Sequence, residues 1–313
     1  MTAPPRLTLG HRPRLQPFWD VRAACNFIGG GTGTGLIMVA AGAALVGGPW
    51  WPAALVGFAC VAFGLGMVFL EIGRPWRAIN VFFHPQTSWM TRESVLAMPL
   101  FGLGAAALGA GLVLGADSGV AIAALVLAAL IAAGFLYCQA NILRAVRGVP
   151  AWREPALRPA MLATGLAEGA GLFLVVGALA SPTPPAWSLW LALLAVAARG
   201  AAWSRYHRTL HRAGAPEASL RVLDRMAPWV LGLGHGLPAV LLAMALALPP
   251  TMGSAAPSVM AGVAGLLIAA AGWTAKLLLM TRAAATRGFT VPHTPVRGRG
   301  TSRPSPAPPG WGL

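Results

Sequence analysis

Residues Ala23–Val46 read AACNFIGGGTGTGLIMVAAGAALV, a stretch of 24 residues without a charged side chain. A helix of about 20 predominantly apolar residues is long enough to cross the hydrocarbon core of a bilayer. Seven further apolar runs follow, so the sequence predicts eight transmembrane helices. In chain order the predicted spans are Ala23–Val46, Ala53–Leu70, Val95–Leu114, Gly119–Tyr137, Ala160–Leu179, Trp187–Trp203, Ala227–Leu248 and Ser258–Leu279.

The composition supports an all-α integral membrane protein. The 313 residues are 57% hydrophobic and 10% charged, with a mean hydropathy of +0.67. A soluble domain would carry charge at about a quarter of its positions. The net charge of +15 would suggest nucleic acid in a soluble protein. Here the basic residues lie between apolar runs, so we expect them to set the topology, and we expect membrane lipid and no nucleic acid as a partner.

The basic residues follow a strict alternation. All 23 Lys and Arg lie before span one, between spans two and three or four and five, from the last part of span six up to span seven, or from the end of span eight onward. The other connections contain a single charge, Asp117. The positive-inside rule therefore predicts a bacterial inner-membrane protein with both termini in the cytoplasm and no cleaved signal peptide. An odd number of spans would break the alternation.

A short internal similarity suggests two four-helix halves. Gly33–Leu36 (GTGL) aligns with Gly169–Leu172 (GAGL) at an offset of 136 residues. Duplication would explain the match, and so would close helix packing through small residues, which leaves both readings open. The predicted division is 1–22 as an N-terminal segment, 23–140 as a first bundle, 141–281 as a second bundle, and 282–313 as a Pro/Gly/Arg-rich tail.

The connection after span two combines several kinds of titratable and aromatic side chain. Residues Leu70–Glu93 read LEIGRPWRAINVFFHPQTSWMTRE and combine carboxylates, arginines, a histidine and tryptophans near the membrane surface. Aromatic rings can form an apolar wall for a lipid-soluble ligand, while titratable groups at the water edge can pass protons. The alternative is that Glu71 and Glu93 pair with Arg74 and Arg92 and only anchor the interface.

Other polar residues give weaker predictions. Glu168 lies inside span five, where an ionisable group is costly, and could relay protons or accept a hydrogen bond. His235 is the only histidine well inside a span, which argues against a haem with two axial histidines. His207 and His211 are one helical turn apart beside several arginines, so we predict no metal site there. No C-x-x-C pair exists to hold a cluster or structural zinc.

Four segments resemble the membrane anchor subunits of the dimethyl sulfoxide reductase type, the DmsC/NrfD-like group. They are Trp19–Leu36 (WDVRAACNFIGGGTGTGL), Leu70–Glu93, Val149–Pro155 (VPAWREP) and Pro292–Gly298 (PHTPVRG). The resemblance implies two four-helix bundles without metal centres that hold an iron–sulfur electron-transfer subunit and a molybdopterin catalytic subunit. Such an anchor exchanges electrons with menaquinone or ubiquinone and is not catalytic alone, since it carries no redox centre.

The resemblance also assigns candidate site residues. In such anchors a histidine ending span two and a glutamate in the following loop are implicated in quinol binding, and the matching positions here are Glu71 and Glu93. Glu93 keeps the residue type, whereas Glu71 replaces the histidine. These two are the predicted proton donors or acceptors. The residues predicted around the quinone head are Asn26, Arg74, His84, Trp89 and Arg92.

The arginine distribution places this site on the cytoplasmic side. The chain therefore resembles anchors of cytoplasm-facing oxidases, such as those that oxidise sulfite or phenylacetyl-CoA. Two rival functions remain open. One is a secondary transporter that uses Glu168 and His235 as a midplane site, and the other is a structural anchor without a quinone site.

Overall fold

The computed structural model describes residues 14–72, 75–248 and 255–286, and these residues form an all-α fold. Within them, eight helices are long and apolar enough to cross a membrane, as the sequence predicts. These helices are α1 (Val21–Leu45), α2 (Trp51–Glu71), α3 (Trp89–Val113), α4 (Gly119–Ala145), α5 (Leu157–Ala180), α6 (Ala186–Arg212), α7 (Glu217–Ala247) and α8 (Ala256–Thr281). A 3₁₀ helix (Pro75–Phe82) precedes α3, and a helical turn (Pro150–Arg153) precedes α5.

Several helices extend beyond the predicted spans, and the longest extensions are at the end where the arginines lie. The helix α6 continues to Arg212, α7 begins at Glu217 and α3 begins at Trp89. Hydropathy falls at the first polar residues, but helical hydrogen bonding continues through them. We call the end formed by the N-termini of the odd-numbered helices and the C-termini of the even-numbered ones the arginine-rich end. Glu93 therefore belongs to α3 and not to a loop, which corrects the prediction.

Local capping fixes where the first helices begin. The Ser88 hydroxyl accepts a hydrogen bond from Thr91 N at 3.2 Å and so caps α3. Asp20 caps α1 by accepting from Arg22 N at 2.7 Å. The Arg22 guanidinium also bonds the Asp20 carboxylate at 2.8 Å, and this contact lowers the pKa of Asp20 below its usual value.

The helices pair in the same way in both halves of the chain. In residues 21–145, α1 packs against α2 and α4, and α3 packs against α4. In residues 157–281, α5 packs against α6 and α8, and α7 packs against α8. The halves meet mainly where α1 contacts α5. This repeated pairing is the arrangement expected of two four-helix halves.

Glycines allow α1 and α5 to approach closely. A Cβ at Gly35 would overlap the backbone of Gly165, and a Cβ at Gly169 would overlap the backbone of Gly35. The two similar motifs, GTGL and GAGL, thus face each other across the centre of the molecule. Their glycines have a packing function there, because only residues without a Cβ leave room for the facing backbone.

The N-terminal segment and the end of α8 are joined at the arginine-rich end. Thr286 N donates to Arg14 O at 2.7 Å, and Gln16 N donates to Ala284 O at 3.0 Å. Trp152 stacks on Trp19 with ring centroids 5.0 Å apart. These contacts hold the start of α1 beside the last helix, which fixes one wall of the cavity described next.

Candidate functional site

A cavity of about 170 Å³ lies among α1, α2, α3 and α4 at the arginine-rich end. Three predicted site residues line it, namely Asn26, Glu71 and Glu93. The apolar part of the wall consists of Trp19, Phe27, Val68, Ile72, Met90 and Ile142. The cavity therefore combines an aromatic and aliphatic wall with two carboxyl groups and an amide.

Glu93 is the deeply buried carboxyl group of this cavity, with 4% of its surface exposed. Its polar side-chain neighbours are Gln139 and Asn26. Gln139 Nε2 donates to the Asn26 carbonyl oxygen at 3.2 Å. Among the described residues, Glu93 Oε1, Asn26 Oδ1 and Gln139 Oε1 are buried without a hydrogen-bond partner. Buried acceptors without donors are costly, so the group favours a donor, either a proton on Glu93 or a hydroxyl of a bound molecule.

Glu71 occupies the other side of the cavity wall. It is the last residue of α2 and is only partly buried, near Asp20 and Arg22. Arg22 also donates to the Leu70 carbonyl oxygen at 3.2 Å, which holds the end of α2 against the start of α1. The cavity thus leads from a buried carboxyl group, Glu93, to one that can exchange protons with water.

Three further predicted contacts, His84, Trp89 and Arg92, lie outside the cavity wall. The Arg92 guanidinium donates to Pro85 O and Gln86 O, both at 2.7 Å, and lies 4.2 Å from the centre of the Trp89 ring. Arg92 therefore organises the loop before α3. The Glu93–Arg92 ion pair considered from the sequence is wrong, because Glu93 faces Gln139 and Asn26 instead.

Of the other predicted contacts, His84 and Trp89 can be located. His84 is exposed in the loop before α3. Arg74 lies outside the described residues. Trp89 is half-buried and packs edge-on against Tyr137, with ring centroids 5.8 Å apart. The structure therefore brings together Asn26, Glu71 and Glu93. His84, Trp89 and Arg92 lie outside the cavity, in the loop before α3 and in its first turn.

Three consecutive glycines of α1 explain how polar side chains reach the centre. A Cβ at Gly29 would lie 2.5 Å from the Cys60 carbonyl oxygen on α2. A Cβ at Gly30 would overlap the Gln139 side chain from α4, and one at Gly31 would overlap the Lys276 ammonium from α8. Each glycine of the run thus leaves room for a different neighbouring helix. The sequence identified the run but not Gln139, which lies just beyond the predicted span four.

Glu168 belongs to a second buried polar group. Lys276 Nζ lies 2.6 Å from Glu168 Oε2, and both side chains are completely buried. Thr32 Oγ1 donates to the same oxygen at 2.8 Å, and Lys276 also donates to the Phe27 carbonyl oxygen at 3.0 Å. Trp273 Nε1 donates to Thr32 Oγ1 at 2.9 Å. The group joins α1, α5 and α8, so the predicted proton relay residue is held in an ion pair.

His235 has a different environment. It lies in a π-helical turn (Gly232–Gly236) of α7 and accepts from Arg199 Nε at 3.2 Å. Arg199, with 1% exposure, also donates to Ile268 O at 2.6 Å and Gly234 O at 2.5 Å. The π turn places the Gly234 carbonyl oxygen within reach of this buried guanidinium. Glu168 and His235 therefore bind separate partners and do not form the midplane pair expected of the transporter.

No protein-family model matches the chain, and no curated protein matches it. The proposed function therefore depends on the residues and geometry of the chain and on the resemblance of its sequence segments.

Proposed function

We propose that this chain is the membrane anchor and the quinone- or quinol-binding subunit of a molybdopterin/iron–sulfur oxidoreductase complex in the bacterial inner membrane. It would pass electrons between an iron–sulfur partner subunit and the quinone pool. The observation that supports this most is the cavity at the arginine-rich end, where two lining residues, Glu93 and Asn26, each have a buried side-chain oxygen without a hydrogen-bond partner.

The chemistry of a quinol fits this cavity. A quinol presents two O–H donors on a flat apolar ring, and the cavity presents unpaired acceptor oxygens beside Trp19 and Phe27. Oxidation of a quinol releases two protons and two electrons, and reduction of a quinone takes up the same number. Glu93 would exchange protons with the ligand, and the partly exposed Glu71 would exchange them with water. The electrons would go to or come from a cluster in the partner subunit.

The arginine-rich end supports docking of a soluble partner at the same place. Fourteen arginines of the described residues belong to this end, among them Arg147 and Arg153, which border a surface depression of about 220 Å³. Such a surface favours a partner with acidic side chains and accelerates its association. The positive-inside rule places this end in the cytoplasm. We therefore propose a complex with cytoplasm-facing catalytic subunits, of the class that oxidises sulfite or phenylacetyl-CoA.

The test is purification of the chain from its native membrane, followed by assays for iron, molybdenum and quinone turnover. Glu93→Gln and Glu71→Gln are compared with Glu217→Gln, which changes an exposed carboxylate of the same end outside the cavity. We expect all three variants to retain the metals. Turnover should be abolished by Glu93→Gln, reduced by Glu71→Gln and unchanged by Glu217→Gln.

Three outcomes would contradict the proposal. A purified chain without iron, molybdenum or partner subunits would exclude the anchor function. Full turnover in Glu93→Gln would exclude this cavity as the quinone site and favour a purely structural anchor. Labelling of residues 75–92 from the periplasmic side would reverse the orientation and exclude cytoplasm-facing subunits.

A further inference from the structure

We propose that His207, His211 and Asp224 form a binding site for a divalent transition-metal ion of the Zn²⁺ class. His207 Nε2 and His211 Nε2 lie 2.7 Å and 2.8 Å from Asp224 Oδ1. The three ligand atoms all lie within 4.8 Å of one another. Two imidazole nitrogens and one carboxylate oxygen are a ligand set that binds Zn²⁺ and leaves a position open.

The helices bring these side chains together for a simple reason. Residues four apart lie on the same face of a helix, so His207 and His211 project from α6 in the same direction, with ring centroids 4.7 Å apart. Asp224 approaches them from α7, the next helix in the chain. The three ligands therefore come from two consecutive helices, and a bound ion would link α6 to α7.

The two nitrogen-to-oxygen separations are close to those that a metal ion requires. Ligand atoms each about 2.0–2.1 Å from a tetrahedral Zn²⁺ lie roughly 3.3 Å apart. The nitrogen-to-oxygen distances of 2.7–2.8 Å would have to lengthen by only about 0.5 Å. All three side chains are partly exposed, between 31% and 45%, so an ion can reach them without unfolding.

From the sequence we predict no metal site at His207 and His211, because the neighbouring arginines would repel a cation. The structure adds Asp224, whose carboxylate supplies a negative charge that the paired histidines alone lack. Arg208 Nε turns back to the Ser204 carbonyl oxygen at 3.1 Å. Arg221 faces Glu217 at 3.6 Å on α7. These contacts direct two of the cations to other acceptors, and the remaining positive field should keep the affinity moderate.

The site is separate from the Glu93 cavity, so its test needs no quinone. The full-length chain is purified in detergent, treated with EDTA, desalted and titrated with Zn²⁺ by calorimetry. We expect one ion per chain. His211→Ala and Asp224→Asn should each lower the affinity by at least roughly tenfold, because each removes one of only three protein ligands. His84→Ala, which changes an exposed histidine of the same end, should leave the affinity unchanged.

Thermal unfolding and Co²⁺ spectra of the wild type test the site even if a variant fails to fold. Zn²⁺ should raise the Tm of the wild type and leave that of Asp224→Asn unchanged. Co²⁺ should give visible d–d bands without a thiolate charge-transfer band, since no cysteine belongs to the proposed site. Absence of saturable binding to the folded wild type would overturn the proposal and leave a histidine–aspartate contact between helices. Equal binding by wild type and the His207→Ala/His211→Ala variant would also overturn it.

Discussion

Glu93 and Glu168 are both buried carboxyl groups in helices, yet their surroundings differ. Glu168 faces the Lys276 ammonium at 2.6 Å and the Thr32 hydroxyl at 2.8 Å. Glu93 faces the amides of Asn26 and Gln139 and borders a cavity. A buried carboxylate with a cation is part of the packing of three helices. One without a cation, beside an open space, retains hydrogen-bonding capacity for a ligand, which is why we assign function to Glu93.

Removing the cation of the Glu168 group should have the largest effect on stability. Lys276→Met leaves the fully buried Glu168 without its ammonium partner. Loss of one member of a buried ion pair lowers the free energy of unfolding by about 3–5 kcal/mol. Unfolding of the detergent-solubilised chain, followed by tryptophan fluorescence, measures the change. Glu168→Gln/Lys276→Met should recover part of the loss, whereas wild-type stability of the single variant would show that the pair has no structural function.

A methyl group between α1 and α5 should have the next largest effect. Gly35→Ala places a Cβ against the Gly165 backbone and so pushes α1 away from α5. This movement also stretches the hydrogen bond between Thr32 of α1 and Glu168 of α5. We expect a loss of about 1–3 kcal/mol, as for other overpacked interiors. Gly42→Ala is the matched control in the same helix, because nothing lies within 4 Å of its Cβ. Equal stability of the two variants would contradict close packing at Gly35.

Changing Arg92 should have a smaller effect, since its contacts are on the loop before α3. Arg92→Lys loses the planar guanidinium that bonds Pro85 O and Gln86 O and covers Trp89. A partly exposed contact of this kind should contribute about 1 kcal/mol. Quinone turnover per folded chain should decrease less than in Glu93→Gln. A greater loss of turnover in Arg92→Lys would place Arg92 at the ligand.

Neutralising Glu93 should change stability least. Glu93→Gln keeps the shape of the side chain and supplies an N–H donor to a group of unpaired acceptors. We expect the free energy of unfolding to change by less than about 1 kcal/mol. The same unfolding assay measures it, with Glu217→Gln as the exposed control. A loss as large as that of Lys276→Met would assign Glu93 to packing and remove the distinction between the two carboxyl groups.

The sequence predicts the number and order of the spans well, because an apolar run of about 20 residues has few other uses in a chain of this composition. It predicts helix ends poorly, since helical hydrogen bonding continues where hydropathy falls. Glu93 was therefore expected in a loop and lies in α3, four residues after its first residue, Trp89. The resemblance predicts Asn26, Glu71 and Glu93 around one ligand, and all three lie in one cavity wall.

Partners across helices could not be predicted from one sequence. Lys276 lies near the end of α8, and a lysine there is expected to extend toward water. In the structure it turns inward to Glu168, into space that Gly31 leaves open. Gln139 and Asn141 are uncharged polar residues just beyond the predicted span four, and nothing local indicates which helix each one faces. Asp224 precedes the predicted span seven, so its approach to His207 and His211 also depends on tertiary packing.

The pairing of Glu168 with Lys276 has a consequence for biosynthesis. The two residues are 108 positions apart, and Lys276 belongs to the last helix. At a synthesis rate of about 5–20 residues per second, roughly 5–20 s separate their emergence from the ribosome. During that interval Glu168 has no ammonium partner, so it must remain protonated or stay away from lipid. The arrival of α8 therefore supplies the ammonium group that balances the charge of Glu168.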